Sequence, residues 1–429
     1  MADTNSPRLS YFDSLLHANR NCQLNFATTI LQGLGQGVYL LVFNLYILAV
    51  GIDADALGVI LSAAPLAQAI GSIPIGMLAE RIGFRKTFVI IYAVTGLARL
   101  LQASSDNITA IGGVAFFSGL ALAGDFVVRI AFLAANSRPE ERTQIYSFSS
   151  FLFSFSLAIG SLVAGFIPNL FLTHSLDLAL AYRYTLYVAG ALTLLGVVPS
   201  LLVTEASQAA DRHHRTGLAP YLWGMDHFTR QHGLISLFVG LTIGMTVPFM
   251  NIYFIYNLGS SREFFGVASA LALAFTMVGT AVAPFVAARV GWVRSVTNLR
   301  LLVPVAILAF AFTSSQYFGA VAYLAQYVLI QMSQPLSFAF AMYFATVQAR
   351  TAVSAWLNVT FWLGNALAAP ITGHFLAMTD YRSPLLIAAV TIIVAAGLNR
   401  RFFNRLELTI PMSVRSGDPL PAKEKGLPK

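Results

Sequence analysis

Long apolar stretches, separated by short polar turns, make up most of this chain. They recur from residue 25 to residue 401, and most reach the ~20 residues that a helix needs to cross the ~30 Å hydrocarbon layer of a bilayer. Each stretch is predicted to be a helix, because lipid cannot satisfy the exposed backbone groups of an irregular segment. The chain lacks the ~10-residue segments of alternating polarity that form a membrane β-barrel. The pattern therefore predicts an all-α integral membrane protein.

Twelve transmembrane helices are predicted, in two sets of six. The first set covers 25–51, 55–79, 87–104, 110–134, 145–171 and 180–204. The second set covers 232–258, 263–289, 296–313, 317–347, 352–378 and 381–401. The predicted domains are a cytoplasmic lead-in, a first bundle, a cytoplasmic central loop, a second bundle and a cytoplasmic tail, at 1–24, 25–204, 205–231, 232–401 and 402–429.

Composition agrees with this fold class. Hydrophobic residues make up 57% of the chain and charged residues only 10%, whereas a soluble domain carries ~25% charged residues. The single cysteine, Cys22, excludes an intramolecular disulfide. Residues 1–20 lack the apolar core of a cleavable signal peptide. We therefore expect the first span to act as an uncleaved insertion signal.

The basic residues indicate the orientation in the membrane. Most of the 26 Lys and Arg residues lie in the termini and in the loops after even-numbered spans, whereas Arg183, Arg262 and Arg382 lie on the opposite side. The positive-inside rule then predicts a multi-pass inner-membrane protein with both termini in the cytoplasm. The +8 net charge is explained by topology and by contact with anionic membrane lipid. Nucleic acid is not a predicted partner.

The two halves of the chain form an internal repeat. When the sequence is shifted by 208 residues, identical residues align at several points, and this one offset holds over a stretch of more than a hundred positions. The matching pairs include Gly58 with Gly266, Gly71 with Gly279, Arg142 with Arg350, and Gly165 with Gly373. Each copy has an even number of spans, so both copies insert in the same orientation, as parallel repeats do in one large transporter class. Two bundles that rock about a central cavity are expected.

A basic, glycine-containing loop joins spans 2 and 3. Residues 76–86 read Gly-Met-Leu-Ala-Glu-Arg-Ile-Gly-Phe-Arg-Lys. This loop resembles the signature loop of the major facilitator superfamily, G-x-x-x-D-R-x-G-R-R/K, with Glu80 where Asp is usual and Phe84 at a position that breaks the pattern. The second-half copy keeps Arg289, Gly291 and Arg294 but has no acid, and its Gly291 aligns with Gly83. Span count, repeat and loop position extend the resemblance over nearly the whole chain.

The resemblance implies a secondary transporter with the superfamily fold and a cytoplasmic gate at this loop. In such a gate Glu80 would accept hydrogen bonds at a helix terminus. Arg81 and Arg85 would pair with acids nearby, for which Glu140 and Glu141 are the candidates. The loops after spans 8 and 10 contain no carboxylate, so the gate would hold most of its acid in the first half. The implied gate residues are Gly76, Glu80, Arg81, Gly83, Arg85, Lys86, Arg142, Arg289, Arg294 and Arg350.

Polar and aromatic side chains at helical spacing mark candidate cavity walls within the spans. Polar residues in a membrane usually face the bundle interior or water, and residues three or four apart share a helix face. The predicted substrate-binding residues are Gln32, Gln36, Tyr39, Tyr46, Tyr253, Gln331, Gln334, Asn358, Trp362 and Asn365. Such a lining suits neutral or amphipathic organic solutes. The alternative interpretation is that these side chains join helices to one another.

Asp125 and Arg129 in span 4 are the candidate coupling residues. They lie four apart and can neutralise each other. One hypothesis is that Asp125 takes up a proton in only one conformation, and the alternative is a static ion pair. Arg99, near the outer end of span 3, is expected to extend towards the membrane surface. His374 is expected to serve packing or an interface.

These observations predict a monomeric secondary transporter that moves a small organic solute by alternating access. Proton-coupled export of amphipathic compounds is the first expectation. Import or facilitated diffusion of neutral polar solutes such as sugars is the second, and a transport-inactive receptor or assembly factor with the same fold is the third. The chain has no Walker loop and no His/Cys cluster of metal-site type, so no cofactor and no enzymatic activity are predicted.

Overall fold

The structure is a computed structural model. It describes residues 19–138, 141–173, 177–204, 226–345 and 349–407. Within these ranges the side chains at positions 73, 76, 77, 80, 126, 127, 143 and 351 are not described. All statements below refer to the described residues.

Six long helices form the first half. They are α1 (Arg20–Ala49), α2 (Ala54–Ile82), α3 (Phe84–Ser104), α4 (Ile108–Ala135), α5 (Arg142–Leu172) and α6 (Leu178–Leu195), the last followed by a short helical segment, Val197–Leu201. Side chains cap several of these helices. Asn107 accepts a hydrogen bond from the Ala110 N–H at the start of α4, and Asp177 accepts one from the Leu178 N–H at the start of α6. These bonds satisfy donors that the first helical turn leaves without partners.

Six further helices form the second half. They are α7 (His227–Thr246), α8 (Arg262–Val290), α9 (Trp292–Phe312), α10 (Gln316–Phe344), α11 (Arg350–Ala377) and α12 (Ser383–Glu407). The predicted seventh span is not a regular helix to its end. After Thr246 it continues through a 3₁₀ turn at Val247–Phe249, a short α turn and a π turn at Tyr253–Asn257. Pro248 lies in the 3₁₀ turn and provides no N–H for an α-helical bond.

The helix set confirms the predicted all-α membrane fold. Ten of the described helices are long and apolar enough to cross a membrane, judged by length and composition alone. The two long helices outside that set, α10 and α11, have 29 and 28 residues. Their length suffices, and their Gln, Asn, Tyr and Trp side chains lower the mean hydropathy. Half of the predicted substrate-binding residues lie on these two helices.

The turns α2–α3 and α8–α9 have the same backbone conformation. Gly83 has φ 89° and ψ 161°, and Gly291 has φ 100° and ψ 157°. This region of backbone space is essentially restricted to glycine. The aligned glycines of the sequence repeat therefore form the same turn in both halves.

The chain divides into two compact units. The first comprises Met1–Val50 and Ile70–Arg215, and the second comprises Gly51–Ala69 and Thr216–Lys429. Corresponding helices pack in each unit, α1 on α5 in the first and α7 on α11 in the second. Glycines allow the close approach. A Cβ at Gly33 would lie 2.7 Å from the Ser156 Cβ, and one at Gly244 would lie 2.6 Å from the Asn365 oxygen.

The N-terminal part of α2, up to Ala69, belongs to the second unit, whereas the sequence predicted it to be part of the first bundle. A Cβ at Gly58 would lie 2.6 Å from the Ala369 oxygen and 3.0 Å from the Gly373 Cα. His374 on α11 is half-exposed, and its Nδ1 lies 3.0 Å from Oδ1 of Asp55. The close contact between the backbones of Gly58 and Gly373 therefore joins this part of α2 to α11 within the second unit.

Candidate functional site

The first unit contains a polar group centred on Arg99 of α3. Its side chain is buried and donates hydrogen bonds to Gln36 Oε1 of α1 and Thr193 Oγ1 of α6. Its guanidinium lies 5.1 Å from the centre of the Tyr39 ring, and the Tyr39 hydroxyl donates to Gln102 Oε1 at 3.1 Å. The expectation that Arg99 extends to the membrane surface is therefore wrong. Acceptors on two neighbouring helices hold it inside the unit.

The two ends of the predicted stripe on α1 are buried in the same unit. Gln32 is 2% exposed and Tyr46 is 0% exposed. The Tyr46 hydroxyl donates to the Ala103 oxygen at 2.7 Å and accepts from Arg183 Nη2 at 3.1 Å. Arg183 Nη2 also lies 2.9 Å from Asp106 Oδ1. The contacts of Tyr46 thus support the helix-joining interpretation, whereas Gln36 and Tyr39 are partly exposed.

Asp125 and Arg129 of α4 form an ion pair inside the first unit. The Tyr92 hydroxyl of α3 donates to Asp125 Oδ1 at 3.1 Å, and the Arg129 guanidinium lies 5.2 Å from the centre of the Phe153 ring. The i, i+4 spacing brings the two charges onto one helix face. The resulting group of three side chains can hold Asp125 as a carboxylate neutralised by Arg129.

The six predicted substrate-binding residues of the second unit fall into two groups, two that are buried and four that are partly exposed. Tyr253 is fully buried, and its hydroxyl is 3.5 Å from the Met245 oxygen. Asn365 is 5% exposed and lies where α11 meets Gly244. Both placements fit helix packing better than solute contact. The partly exposed members are Gln331, Gln334, Asn358 and Trp362.

A second buried arginine, Arg300 of α9, was not among the predicted residues. It is 1% exposed, and its Nε and Nη1 atoms have no hydrogen-bond partner among the described residues. His232 of α7 is also buried, and its Nε2 lies 3.1 Å from Ser337 Oγ on α10. The sequence could have indicated this site, because Arg300 falls well inside the ninth span rather than in the preceding basic loop.

The predicted gate residues lie at helix ends. Arg81, Arg85, Lys86, Arg289, Arg294 and Arg350 are exposed, and Gly83 and Arg142 are partly exposed. The ion pairs among described side chains include none of Arg81, Arg85 or Arg142. The predicted acid Glu80, Gly76 and the candidate partner Glu140 lie outside the described side chains. The gate therefore stays a prediction.

Glu407, at the end of α12, is an acid that the gate prediction missed. It is 2% exposed, and its oxygens accept from the backbone N–H groups of Val293 at 3.0 Å and Arg294 at 3.2 Å. The carboxylate thus lies at the N-terminus of α9, where the helix dipole favours a negative charge. Glu407 had been assigned to the tail, so its proximity to the α8–α9 turn is a tertiary feature. Within the described residues, no group of three or more His, Cys, Asp or Glu side chains could hold a metal ion.

Comparison with protein families places residues 26–349 within the family described as Major Facilitator Superfamily. An uncharacterized MFS-type transporter, YfkF of Bacillus subtilis, is 29% identical over 21% of this chain and 23% of its own length. The 4-hydroxybenzoate transporter PcaK of Pseudomonas aeruginosa is 32% identical over 29% of this chain and 28% of its own length. The chain thus matches less than a third of either curated relative.

Solved structures share the fold at low sequence identity. The nucleoside transporter NupG superposes with a TM-score of 0.73 and 16% identity, covering 90% of this chain and 99% of its own. A bacterial homolog of the human lysosomal transporter Spinster gives 0.75 and 14%, covering 90% and 97%. The xylose transporter XylE from E. coli gives 0.69 and 14%, covering 89% and 95%.

Proposed function

We propose that this chain, which belongs to the major facilitator superfamily, moves a small organic solute across the inner membrane by proton-coupled alternating access. Membership of the family makes it a membrane transporter. The partly exposed polar and aromatic side chains along the membrane-spanning helices support the proposal of a small solute. The limited similarity to a 4-hydroxybenzoate transporter also supports an organic solute.

The observation that carries the coupling proposal is the group of Tyr92, Asp125 and Arg129, in which Tyr92 and Asp125 are buried. A carboxylate inside a membrane bundle needs a neutralising partner, and Arg129 provides one in the present arrangement. A proton on Asp125 could replace Arg129 in a second conformation. The Tyr92 hydroxyl can serve both states, because it donates to the carboxylate and can accept from the protonated acid. Proton uptake would then be linked to the conformational change.

Asp125→Asn tests this proposal in proteoliposomes that carry a pH gradient. The variant keeps the side-chain volume and cannot exchange a proton, so we expect loss of pH-driven flux with solute exchange retained. Asp106→Asn is the matched control, since this acid pairs with Arg183 and its carboxylate is largely exposed. Unchanged pH-driven flux in Asp125→Asn would remove Asp125 from coupling and leave a static ion pair.

Import or facilitated diffusion of a neutral polar solute is the second candidate. It is favoured by α10 and α11, the two long helices outside the apolar set, whose side chains Gln331, Gln334 and Asn358 are partly exposed. Flux of a labelled sugar that is independent of the pH gradient would support this candidate. Accumulation of an amphipathic compound inside inverted vesicles would instead support proton-coupled export. Binding without any flux would indicate a receptor or assembly factor.

The orientation and assembly are part of the same proposal. The basic turns α2–α3 and α8–α9 would face the cytoplasm together with both termini, as the positive-inside rule implies. The protein would act as a monomer, because each subunit of this fold contains both six-helix bundles that alternating access requires. Its other partner would be membrane lipid.

A further inference from the structure

Arg99 is a buried cation without an acidic partner among the described side chains. The ion pairs of the first unit join Arg129 with Asp125 and Arg183 with Asp106. Arg99 instead donates to an amide oxygen and a hydroxyl, on Gln36 and Thr193. These acceptors each take one hydrogen bond from the guanidinium but leave its charge uncompensated. The first unit therefore carries a net positive charge in the α1, α3 and α6 region.

Such a charge is expensive to keep inside a membrane protein. Removing a cation from water carries a large penalty that only a close opposite charge offsets well. An apolar side chain of similar length, such as Met, would fill the same space without that penalty. Ionisable residues within membrane helices are usually paired and often functional, so a buried arginine without an acidic partner suggests a binding role.

The side chains around Arg99 favour a negatively charged partner. Gln102 is 1% exposed, and its Nε2 has no hydrogen-bond partner among the described residues, while its Oε1 accepts from Tyr39. With the Tyr39 hydroxyl as the donor to Oε1, the N–H groups of the Gln102 amide are left for another acceptor. Arg99 and Gln102 thus both contact Tyr39, and Gln102 has N–H groups without an acceptor among the described residues. N–H donors that lack an acceptor favour the binding of a negatively charged group.

The site has a way to open. Gln36 and Tyr39, which cover Arg99 from α1, are partly exposed, whereas Arg99 itself is 2% exposed. Rotation of Gln36 would release the guanidinium, and rotation of Tyr39 would release Gln102. A carboxylate could then replace the Gln36 oxygen. A carboxylate would form an ion pair with the guanidinium and so compensate its charge, which the neutral amide oxygen of Gln36 does not do.

We propose that the transported solute is an organic anion and that Arg99 binds its carboxylate. This inference rests on the proposed transport function and assigns the charge of the solute. Gln36 and Tyr39 cover the binding group, and Gln102 provides an additional donor. The stacked rings of Tyr39 and Phe43, with centroids 4.7 Å apart, would lie beside the body of the solute.

The test compares acids with their uncharged amides on the purified full-length protein. The probes are benzoate, phenylacetate and hexanoate, each against its amide, with the melting temperature as a function of concentration as the readout of affinity. We expect the acids to raise the melting temperature and the amides to have little effect. Arg99→Met should weaken acid binding about tenfold or more, and Arg99→Lys should retain part of it.

Two measurements separate binding from a purely structural role of Arg99. Arg183→Gln is the matched control, since it removes a cation that already has a carboxylate partner, and it should leave acid binding unchanged. Without ligand, Arg99→Met should melt at or above the wild-type temperature, because a buried unpaired charge is removed. A lower melting temperature together with unchanged acid affinity would assign Arg99 to helix joining and overturn the proposal.

Failure of the anion inference is distinguishable from failure of the transport function. If amides bind and are transported while acids are not, the transporter stands and the solute is neutral. If neither set binds and no probe crosses the membrane in proteoliposomes, both proposals are overturned.

Discussion

Glu407→Gln is expected to loosen the start of α9 without unfolding the protein. In the structure Glu407 Oε1 and Oε2 accept from the backbone N–H groups of Val293 and Arg294. The substitution keeps one amide oxygen as an acceptor. It removes the charge and places an NH₂ group opposite a backbone donor, so one of the two bonds is lost.

The magnitude follows from these two changes. A hydrogen bond to a charged group contributes ~1.5–3 kcal/mol, and a carboxylate at a helix N-terminus contributes a further ~0.3–1 kcal/mol, rising to ~2 kcal/mol when partly buried. The contact between Arg294 Nε and Glu407 Oε2 is 4.0 Å long, and the Arg294 side chain is 61% exposed, so its contribution is near zero. Local opening of the α8–α9 turn should become easier by about 2–4 kcal/mol.

Amide hydrogen exchange measures this local opening directly. Each ~1.4 kcal/mol corresponds to a tenfold change in an equilibrium constant, so peptides covering Val293 and Arg294 should exchange about 30-fold faster or more. Peptides from the α2–α3 turn should be unaffected. Arg405→Gln is the control, because this exposed side chain lies near the same helix end and is absent from the ion pairs of the described residues.

Two results would refute this reasoning. Unchanged exchange at the start of α9 would mean that the carboxylate does not cap this helix in solution. Equal acceleration in both turns would mean that the substitution destabilises the whole protein rather than one contact.

Two further predictions concern topology and pH. In a Cys22→Ser background, Arg85→Cys and Arg294→Cys should react with an impermeant maleimide only in inverted vesicles. Ser314→Cys, in the α9–α10 turn, should instead react in intact cells. Labelling of the two basic turns from opposite sides of the membrane would refute the two-bundle topology. Hydrogen bonds from the Ser383 hydroxyl, and then from the N–H groups of Ser383 and Arg382, lower the pKa of Asp380 below its usual 3.8, so this cap of α12 is intact above that pH and is lost as the pH falls below it. Amide hydrogen exchange in the first turn of α12, corrected for intrinsic rates, should therefore rise below about pH 4 in the wild type. In Asp380→Asn it should be nearly independent of pH. A parallel pH response of the two proteins would contradict the role of Asp380 as a cap.

The helices and turns could be predicted because the bilayer imposes strong local rules. An apolar run of the right length has one stable conformation in lipid. Gly83 and Gly291 could be recognised as equivalent from the repeat, because only glycine tolerates the turn they form. The π turn at Tyr253–Asn257 was not predictable from hydropathy, since it changes the backbone path without changing the apolar run.

The polar interior was harder to predict because it depends on contacts between distant helices. Arg99 and Arg129 are both arginines within apolar spans, and the sequence alone paired only Arg129, whose partner is four residues away. The acceptors of Arg99 come from α1 and α6, at Gln36 and Thr193. Glu407 is likewise remote in sequence from the helix end that it caps. Spacing rules cannot identify such partners.

The two units share a helix arrangement but differ at the repeat positions of the Tyr92 and Asp125 group. The repeat aligns Tyr92 with Arg300 and Asp125 with Ser333. In the first unit these positions form part of a neutral group, with Tyr92 and Arg129 bonded to Asp125. In the second unit a cation stands at the tyrosine position and a serine at the aspartate position, so no acid at the repeat position compensates Arg300. The coupling role proposed for Asp125 therefore belongs to the first unit, because the second unit has no acid at the equivalent position.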